Sequence, residues 1–445
     1  NSITIYVYFN FILIIIYLYF QYRTMALVLI ALVAALVAAF YLYSTWTFSR
    51  FKGTKVPHLK PYPIVGNMLK FFLKKEDALE NFGKFYEIFP NDRIVGLYQM
   101  RSPTFMIRDP ELIRQIGVKD FETFSHHMAL ANGETDPLFG NNLFGLKGQK
   151  WRDMRATLSP AFTGSKMRQM FELVFECGQQ MNQYLHKMTA KDGHVDFELK
   201  NLFTKYTNDV IATSAFGIKV DSFENPENIF YAMGKKITNF SGLSMSLKFF
   251  GYILMPKVMQ FFKIKIIDDE CGTFFHNLVH ETMSVREKEG IVRPDMINLL
   301  MQARKGALQH EANEEINEDA GFATVQESVI GKTPIPKRAW TDEEFTAQAV
   351  IFFLAGFESV SVALCFIAHE LAVNPDAQKK LQEEIDRVCQ ELHDKQKTLD
   401  YEAINQMKYL DMVISEGLRL WPPSPFTDRI CNKNYVVEDY NDTKR

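Results

Sequence analysis

The sequence predicts a mainly α protein with small β-sheets behind an N-terminal transmembrane helix. Three observations predict it: an uncharged run from Ala26 to Trp46, two short strand-like stretches beyond it, and helix-period sequence through most of the remaining chain. At 1.5 Å rise per residue the uncharged run is ~30 Å long, the thickness of a bilayer core. Arg50, Lys52 and Lys55 follow it directly, and positive charge just past an apolar run holds that end in the cytosol. The run is longer than a signal-peptide core and lacks a strongly basic segment before it, which disfavours cleavage. Residues 1–24, rich in Ile, Tyr, Phe and Asn, form a second apolar stretch. We read them as translated leader, with Met25 the start of the protein and 25–46 its anchor.

Past the anchor, Pro57, Pro61, Pro63 and Gly66 rule out a regular helix or central strand. Residues 47–66 are therefore expected to be a basic, proline-rich hinge before a body running from residue 67 to the end. Strand-like segments fall at Arg93–Leu97 and Thr104–Arg108. The stretch 306–338, acidic and closed by Pro334 and Pro336, reads as a surface loop. Thr341 followed by Glu344 is a capping box opening about nine turns of helix that last until Asn374-Pro375. Pro375 suits the first turn of the next helix, and a further amphipathic helix covers about Met407 to Leu420.

Composition narrows the function. A net charge of −3 over 445 residues lacks the basic surplus that nucleic-acid binding requires. The five cysteines, Cys177, Cys271, Cys365, Cys389 and Cys431, are widely scattered without metal-ligand spacing, which points to free thiols in a reducing compartment and no metal site.

Within the apolar stretch Ala347–Ala368 the one formal charge is Glu358, beside Ser359 and just after Ala355-Gly356. A lone carboxylate in such a helix needs a partner, a raised pKa or a wet cavity, unless it simply faces solvent. A second membrane span is disfavoured, since an acid at its centre costs about 2.5–3.5 kcal/mol. Gly356 would let a flat cofactor or substrate approach the backbone, and the acid with the hydroxyl could deliver protons there. Glu416 and Arg419 share a helical face as an ion pair, a common surface arrangement when taken alone. Trp151 and Arg155 also share a face, where an indole N–H and a guanidinium suit a carboxylate or phosphate. Lys147, Lys150, Arg152, Lys166 and Arg168 surround that segment with positive charge that could steer an acidic partner.

The order of these segments resembles the microsomal cytochromes P450 from about Lys52 to Arg445. Trp151-x-x-x-Arg155 is similar to the family's motif for a haem propionate, and Ser159-Pro160-Ala161-Phe162-Thr163 follows it as in the microsomal class. Ala355-Gly356-Phe357-Glu358-Ser359 resembles the oxygen-activating motif, in which an acid and an alcohol guide protons. Glu416-Gly417-Leu418-Arg419 resembles the family's buried Glu-x-x-Arg pair, and Arg429 falls where relatives place a second propionate contact. The resemblance implies a cytochrome P450 fold, haem, dioxygen, a lipophilic substrate and electrons from NADPH through cytochrome P450 reductase, which the basic patch would dock. It also implies an endoplasmic reticulum membrane location. The style is most like insect enzymes that oxidise plant toxins and insecticides, with specificity set near Phe121–Asn142 and Phe230–Phe250.

Two departures stand out. Ser359 replaces the usual threonine, from which we expect altered coupling of oxygen use to product. The family's haem loop, Phe-x-x-Gly-x-x-x-Cys-x-Gly, and the Pro-Glu-Arg-Phe segment before it are absent from these 445 residues. The expected fold is thus incomplete at the C-terminus. An iron without its axial thiolate lacks the electron push that favours O–O cleavage, so the polypeptide as it stands is expected to be inactive. A non-catalytic isoform that binds apolar ligands or the reductase is the alternative. A helical transporter fits poorly with two amphipathic helices and a large polar body.

Overall fold

In a computed structural model the described residues are 2–128, 131–240, 242–306 and 340–437, with only backbone described for 2–18, 190–192 and 243. The acidic loop expected at 306–338 lies outside them apart from Gly306. The chain forms two compact units, one running to Phe124 and including the segment from Lys433, the other covering Ser125–Asn432.

The first unit begins with helix α1 (Ser2–Thr45), which passes across Met25 without a break. The stretch from Tyr19 to Ser49, which includes the short 3-10 turn Trp46–Ser49 after α1, is long and apolar enough to cross a membrane. Helix α2 (Ala78–Ile88) starts at an Asp77/Glu80 capping box. Strands β1 (Ile94–Gln99) and β2 (Ser102–Ile107) pair antiparallel, with Ile94 opposite Ile107 and Gln99 opposite Ser102. Phe85 of α2 packs with Val95 and Leu97 of β1, so one side of the hairpin is closed by a helix. The proline-rich segment is irregular, as the prolines require, but it is not free. Gly96 N–H donates to the Pro57 carbonyl at 2.8 Å, and Tyr98 N–H to the Asn67 side chain at 2.8 Å. Missing ladder donors at the prolines confine it to the sheet edge. The end of α1 is also tied down: the Thr47 hydroxyl donates to the Arg101 carbonyl at 2.5 Å, and the Arg101 guanidinium lies over the Tyr43 ring at 3.5 Å.

The second unit is helical. The helices that build its core and carry the site are α3 (Gly148–Leu158), α4 (Gly164–Asp192), α5 (Leu199–Ile211), α6 (Ile229–Ile237), α7 (Asp269–Glu289), α8 (Met296–Arg304), α9 (Asp342–Val373), α10 (Pro375–Asp394) and α11 (Lys408–Leu420). The capping box of α9 is made in both directions: Glu344 N–H donates to Thr341 Oγ1 at 3.1 Å, and Thr341 N–H to Glu344 Oε2 at 3.2 Å. α9 is apolar because it runs through the core, packed on α5, α7, α10 and α11. Phe353 sits among Phe230, Phe275 and Phe357 with ring centroids 5.0–5.4 Å away. Arg286 and Asp295 form a fully buried bidentate pair, both bonds 2.6 Å, which fixes α7 against the start of α8. Gly217, at φ +69°, lies against both charged groups, and a Cβ there would strike them.

Candidate haem and proton-delivery site

Two segments distant in sequence meet at His126-His127. Ile430 N–H donates to the His126 carbonyl at 2.8 Å, forming an antiparallel bridge. His126 Nε2 accepts from Gly148 N–H at 2.9 Å, at the first residue of α3. One histidine thus joins the helix that carries Trp151 and Arg155 to the strand that carries Arg429. His127 stacks on Phe144 with centroids 5.8 Å apart, and its Nδ1 lies 3.2 Å from the Asp428 carboxylate. Arg429 Nη1 reaches the His127 ring at 3.0 Å and donates to the Asp428 carbonyl at 2.8 Å. Beside them His127, Phe144 and Ser424–Asp428 line a cavity of about 300 Å³.

The donors of this region fit a group with two carboxylates. Arg155 is half-buried and its guanidinium has no hydrogen-bond or ionic partner among the described residues. Arg429 Nε is buried and likewise unsatisfied. A buried donor left unpaired costs about 1–3 kcal/mol, more for a charged group, so the Arg429 position suits an anionic oxygen, and Arg155 offers a guanidinium not committed elsewhere. Trp151 lies one turn before Arg155 on α3 and is half-buried.

The helix α9 motif is arranged differently from the expectation. Gly356 does not open the backbone to a cofactor: the place of its missing Cβ is filled by Ile211 of α5, so the glycine serves close packing of two helices. The open face lies one position away, where Ala355 is exposed and Ser359, four residues on, is half-buried. The Ser359 hydroxyl donates to the Ala355 carbonyl, the usual back-bond of a hydroxyl within a helix. Glu358 is neither isolated nor simply solvated. Lys200 of α5 meets its carboxylate at 2.7 Å and donates to the buried Ser361 hydroxyl at 2.8 Å. The sequence held no local signal for Lys200, since it lies 158 positions before the acid; its place in the first turn of α5 was the only pointer.

Glu416 and Arg419 do pair, through two bonds of 2.6 and 2.7 Å. The buried setting implied by resemblance is not found: their side chains are 56% and 67% exposed. The buried face of α11 is that of Gly417, against Ile367 of α9, and the pair projects from another face. The pair holds Glu416 below the usual carboxylate range through its hydrogen bonds from Arg419. In the basic patch Arg168 is already bound to Glu402 of the chain itself, which leaves Lys147, Lys150 and Lys166 as its unpaired cations among the described residues.

None of the five cysteines lies on the α3 or α9 face just described: Cys177 and Cys271 are buried, Cys365 is half-buried on α9, and Cys389 and Cys431 are exposed.

Comparison with known proteins agrees with this geometry. The family model for cytochrome P450 matches residues 56–442. The chain is 45% identical to cytochrome P450 9e2 of Blattella germanica over 416 residues, covering 91% of this chain and 75% of that protein. It is 39% identical to probable cytochrome P450 9f2 and 38% to cytochrome P450 9c1, both of Drosophila melanogaster, each covering 92% of this chain and about three-quarters of the relative. The chain belongs to the cytochrome P450 family of monooxygenases.

Proposed function

We propose that the protein oxidises lipophilic small molecules, foreign or endogenous, at the endoplasmic reticulum membrane, with its body facing the cytosol and electrons arriving from NADPH through the reductase. The observation that carries the reading is the pair of unspent arginine donors, Arg155 and Arg429, on segments joined by His126. Arg155 and Arg429, with the Trp151 indole, would hold the carboxylates of haem. Haem, when bound, supplies the activation of dioxygen. The chain's own residues orient the group and manage protons beside it. Ala355 offers a small, exposed surface for a flat ring to rest on, and Ser359 stands on the same face of α9. Glu358 holds a proton-accepting carboxylate at the helix edge, positioned by Lys200. For the Ser359 hydroxyl to pass a proton it must first leave its back-bond to the Ala355 carbonyl. The cavity beside His127 and Phe144, to which Pro425 and Phe426 add apolar surface, suits part of a lipophilic substrate.

The test is haem binding by the chain and by Arg155→Met and Arg429→Met variants, read by visible absorbance and by retention of haem through gel filtration. The proposal expects each arginine replacement to weaken retention, and equal retention by all three proteins would sink it.

A further inference from the structure

His126 touches both segments that carry the arginines of the candidate haem site, and it does so through different atoms. Its backbone carbonyl accepts the Ile430 N–H at 2.8 Å, one residue past Arg429. Its ring Nε2 accepts the Gly148 N–H at 2.9 Å, about two helical turns before Arg155.

The partners of the imidazole assign its two nitrogens. A backbone N–H can only donate, so Nε2 carries the lone pair and the ring proton sits on Nδ1. That proton is donated to Asn432 Oδ1 at 2.8 Å. The Asn432 amide then turns its Nδ2 to Oγ of the buried Ser125, 3.4 Å away. One tautomer is therefore fixed from both ends. α3 needs the acceptor that this tautomer presents. Its N-cap residue, Lys147, makes no side-chain cap, and the first backbone bond of the helix, from Trp151 N–H to the Lys147 carbonyl, is long at 3.4 Å. The opening N–H groups of a helix have no partner within it, and His126 supplies one from outside. Gly148 takes up that bond at φ +57°, a conformation glycine adopts without steric cost.

We infer that His126 is a positioning residue of the haem site, its imidazole setting the distance between Arg155 and Arg429. Both ring nitrogens are spent on the protein, so the ring acts through the two guanidiniums and not on the cofactor. With the ring removed, the backbone bridge to Ile430 remains and Arg429 keeps its place. The start of α3 loses its outside acceptor, and Arg155 moves with it. Two carboxylates at fixed spacing on one rigid group are sensitive to such a shift, because a site must be held to within about 0.5 Å to bind them both. The inference rests on the haem reading above and deepens it.

The test is a double-mutant cycle on haem release from the full chain in detergent, followed by visible absorbance as an excess of apomyoglobin captures the haem. His126→Leu should release haem about fivefold faster than the parent, the scale of one lost helix-cap bond. In the Arg155→Met background the same change should quicken release less than about twofold, because the arginine it positions is gone. His126→Gln keeps an acceptor for the Gly148 N–H and should restore most of the retention. Asn432→Leu leaves the ring but frees its tautomer, and its release should fall between those of the parent and His126→Leu. A thermal melt without haem shows whether each variant is folded; should His126→Leu lose its cooperative melt, Asn432→Leu takes its place in the cycle. Equal acceleration in both backgrounds would make the residue merely structural and overturn the inference. Release at the parent's rate from His126→Leu, with faster release from Arg155→Met and Arg429→Met, would overturn it while leaving the haem reading in place. Release unchanged in both arginine variants would remove the haem reading and this inference together.

Discussion

The reading of Gly356 as a packing residue gives a quantitative test, the pair Gly356→Ala and Ile211→Val. Alanine in place of glycine in a helix interior is worth ~0.8–1.0 kcal/mol in favour of the folded state. At 356 the new methyl would meet Ile211, its nearest atom being Cδ1, with Cγ1 next. Inserting a methyl into packed surroundings costs about 1–3 kcal/mol, so the single variant should range from neutral to ~2 kcal/mol destabilised. Ile211→Val removes the Cδ1 atom and by itself should cost about 0.5–1.5 kcal/mol. In that background Gly356→Ala meets only the γ carbon, at 3.1 Å, and most of the helix-propensity gain should emerge. The double-mutant cycle should therefore show a favourable coupling of about 1–2 kcal/mol, within the range for residues in contact. Urea unfolding of the four proteins in one detergent, followed by far-ultraviolet circular dichroism, measures it. Coupling below 0.5 kcal/mol would show that Ile211 does not fill the place of the missing Cβ, and the argument about which face of α9 is open would fail with it.

Phe353→Ala removes the ring at the centre of the aromatic core and should cost about 3–5 kcal/mol in the same urea assay. Arg286→Met leaves Asp295 buried with Arg293 alone at 3.5 Å and should cost about 3–5 kcal/mol, whereas changing both Arg286 and Asp295 to apolar residues should cost less. Asp209 is buried beside Ser222 and Asn208, and burial pushes its carboxyl up to about 6 from 3.8. The folded state then holds the proton more tightly than the unfolded one, so this group's stabilisation is full below pH ~4 and is lost as pH rises through 6. At ~1.4 kcal/mol per pKa unit its span is on the order of 3 kcal/mol. Asp209→Asn should flatten that part of the pH profile of unfolding, and a profile parallel to the parent's between pH 4 and 7 would refute the assignment. Replacing Ser359 with Ala should raise the fraction of consumed oxygen released as peroxide during turnover; an unchanged fraction would exclude its hydroxyl from proton delivery.

What the sequence made legible was local. The Thr341-x-x-Glu344 box, Pro375 at a helix start and the two strands could be read because caps, proline and period-two patterning act within a few residues. Each observed strand reaches two residues further into the hairpin than predicted and stops one residue short at its outer end, since the hairpin is closed by Met100, a non-glycine residue at φ +54° that gives no turn signal. The face of α9 that Gly356 presents was not legible. A glycine in an apolar helix looks the same whether it admits a ring or a neighbouring isoleucine, and only the three-dimensional partner decides. The same holds for Glu358 and Lys200, and for the exposure of Glu416 and Arg419, because burial depends on which neighbour covers a helix face.

These long-range pairings explain how one helix serves two demands. The first half of α9 is committed to the core: Phe345, Ala349, Phe353 and Phe357 are buried, and their rings interlock with those of α6 and α7. Just beyond, α5 closes over Gly356 and extends Lys200 to Glu358 and Ser361, while the Thr207 hydroxyl donates to the Phe357 carbonyl at 2.9 Å. That last bond takes up a carbonyl of the α9 backbone within the motif, and the Phe357 ring packs on Tyr231 of α6, so the segment around Ala355–Ser359 is held by α5 and α6. Its opposite face stays open at Ala355. A helix clamped in this way can keep an acid and a hydroxyl in fixed register along a free surface. Loosening the α5 contact is expected to disturb that register before it disturbs the fold.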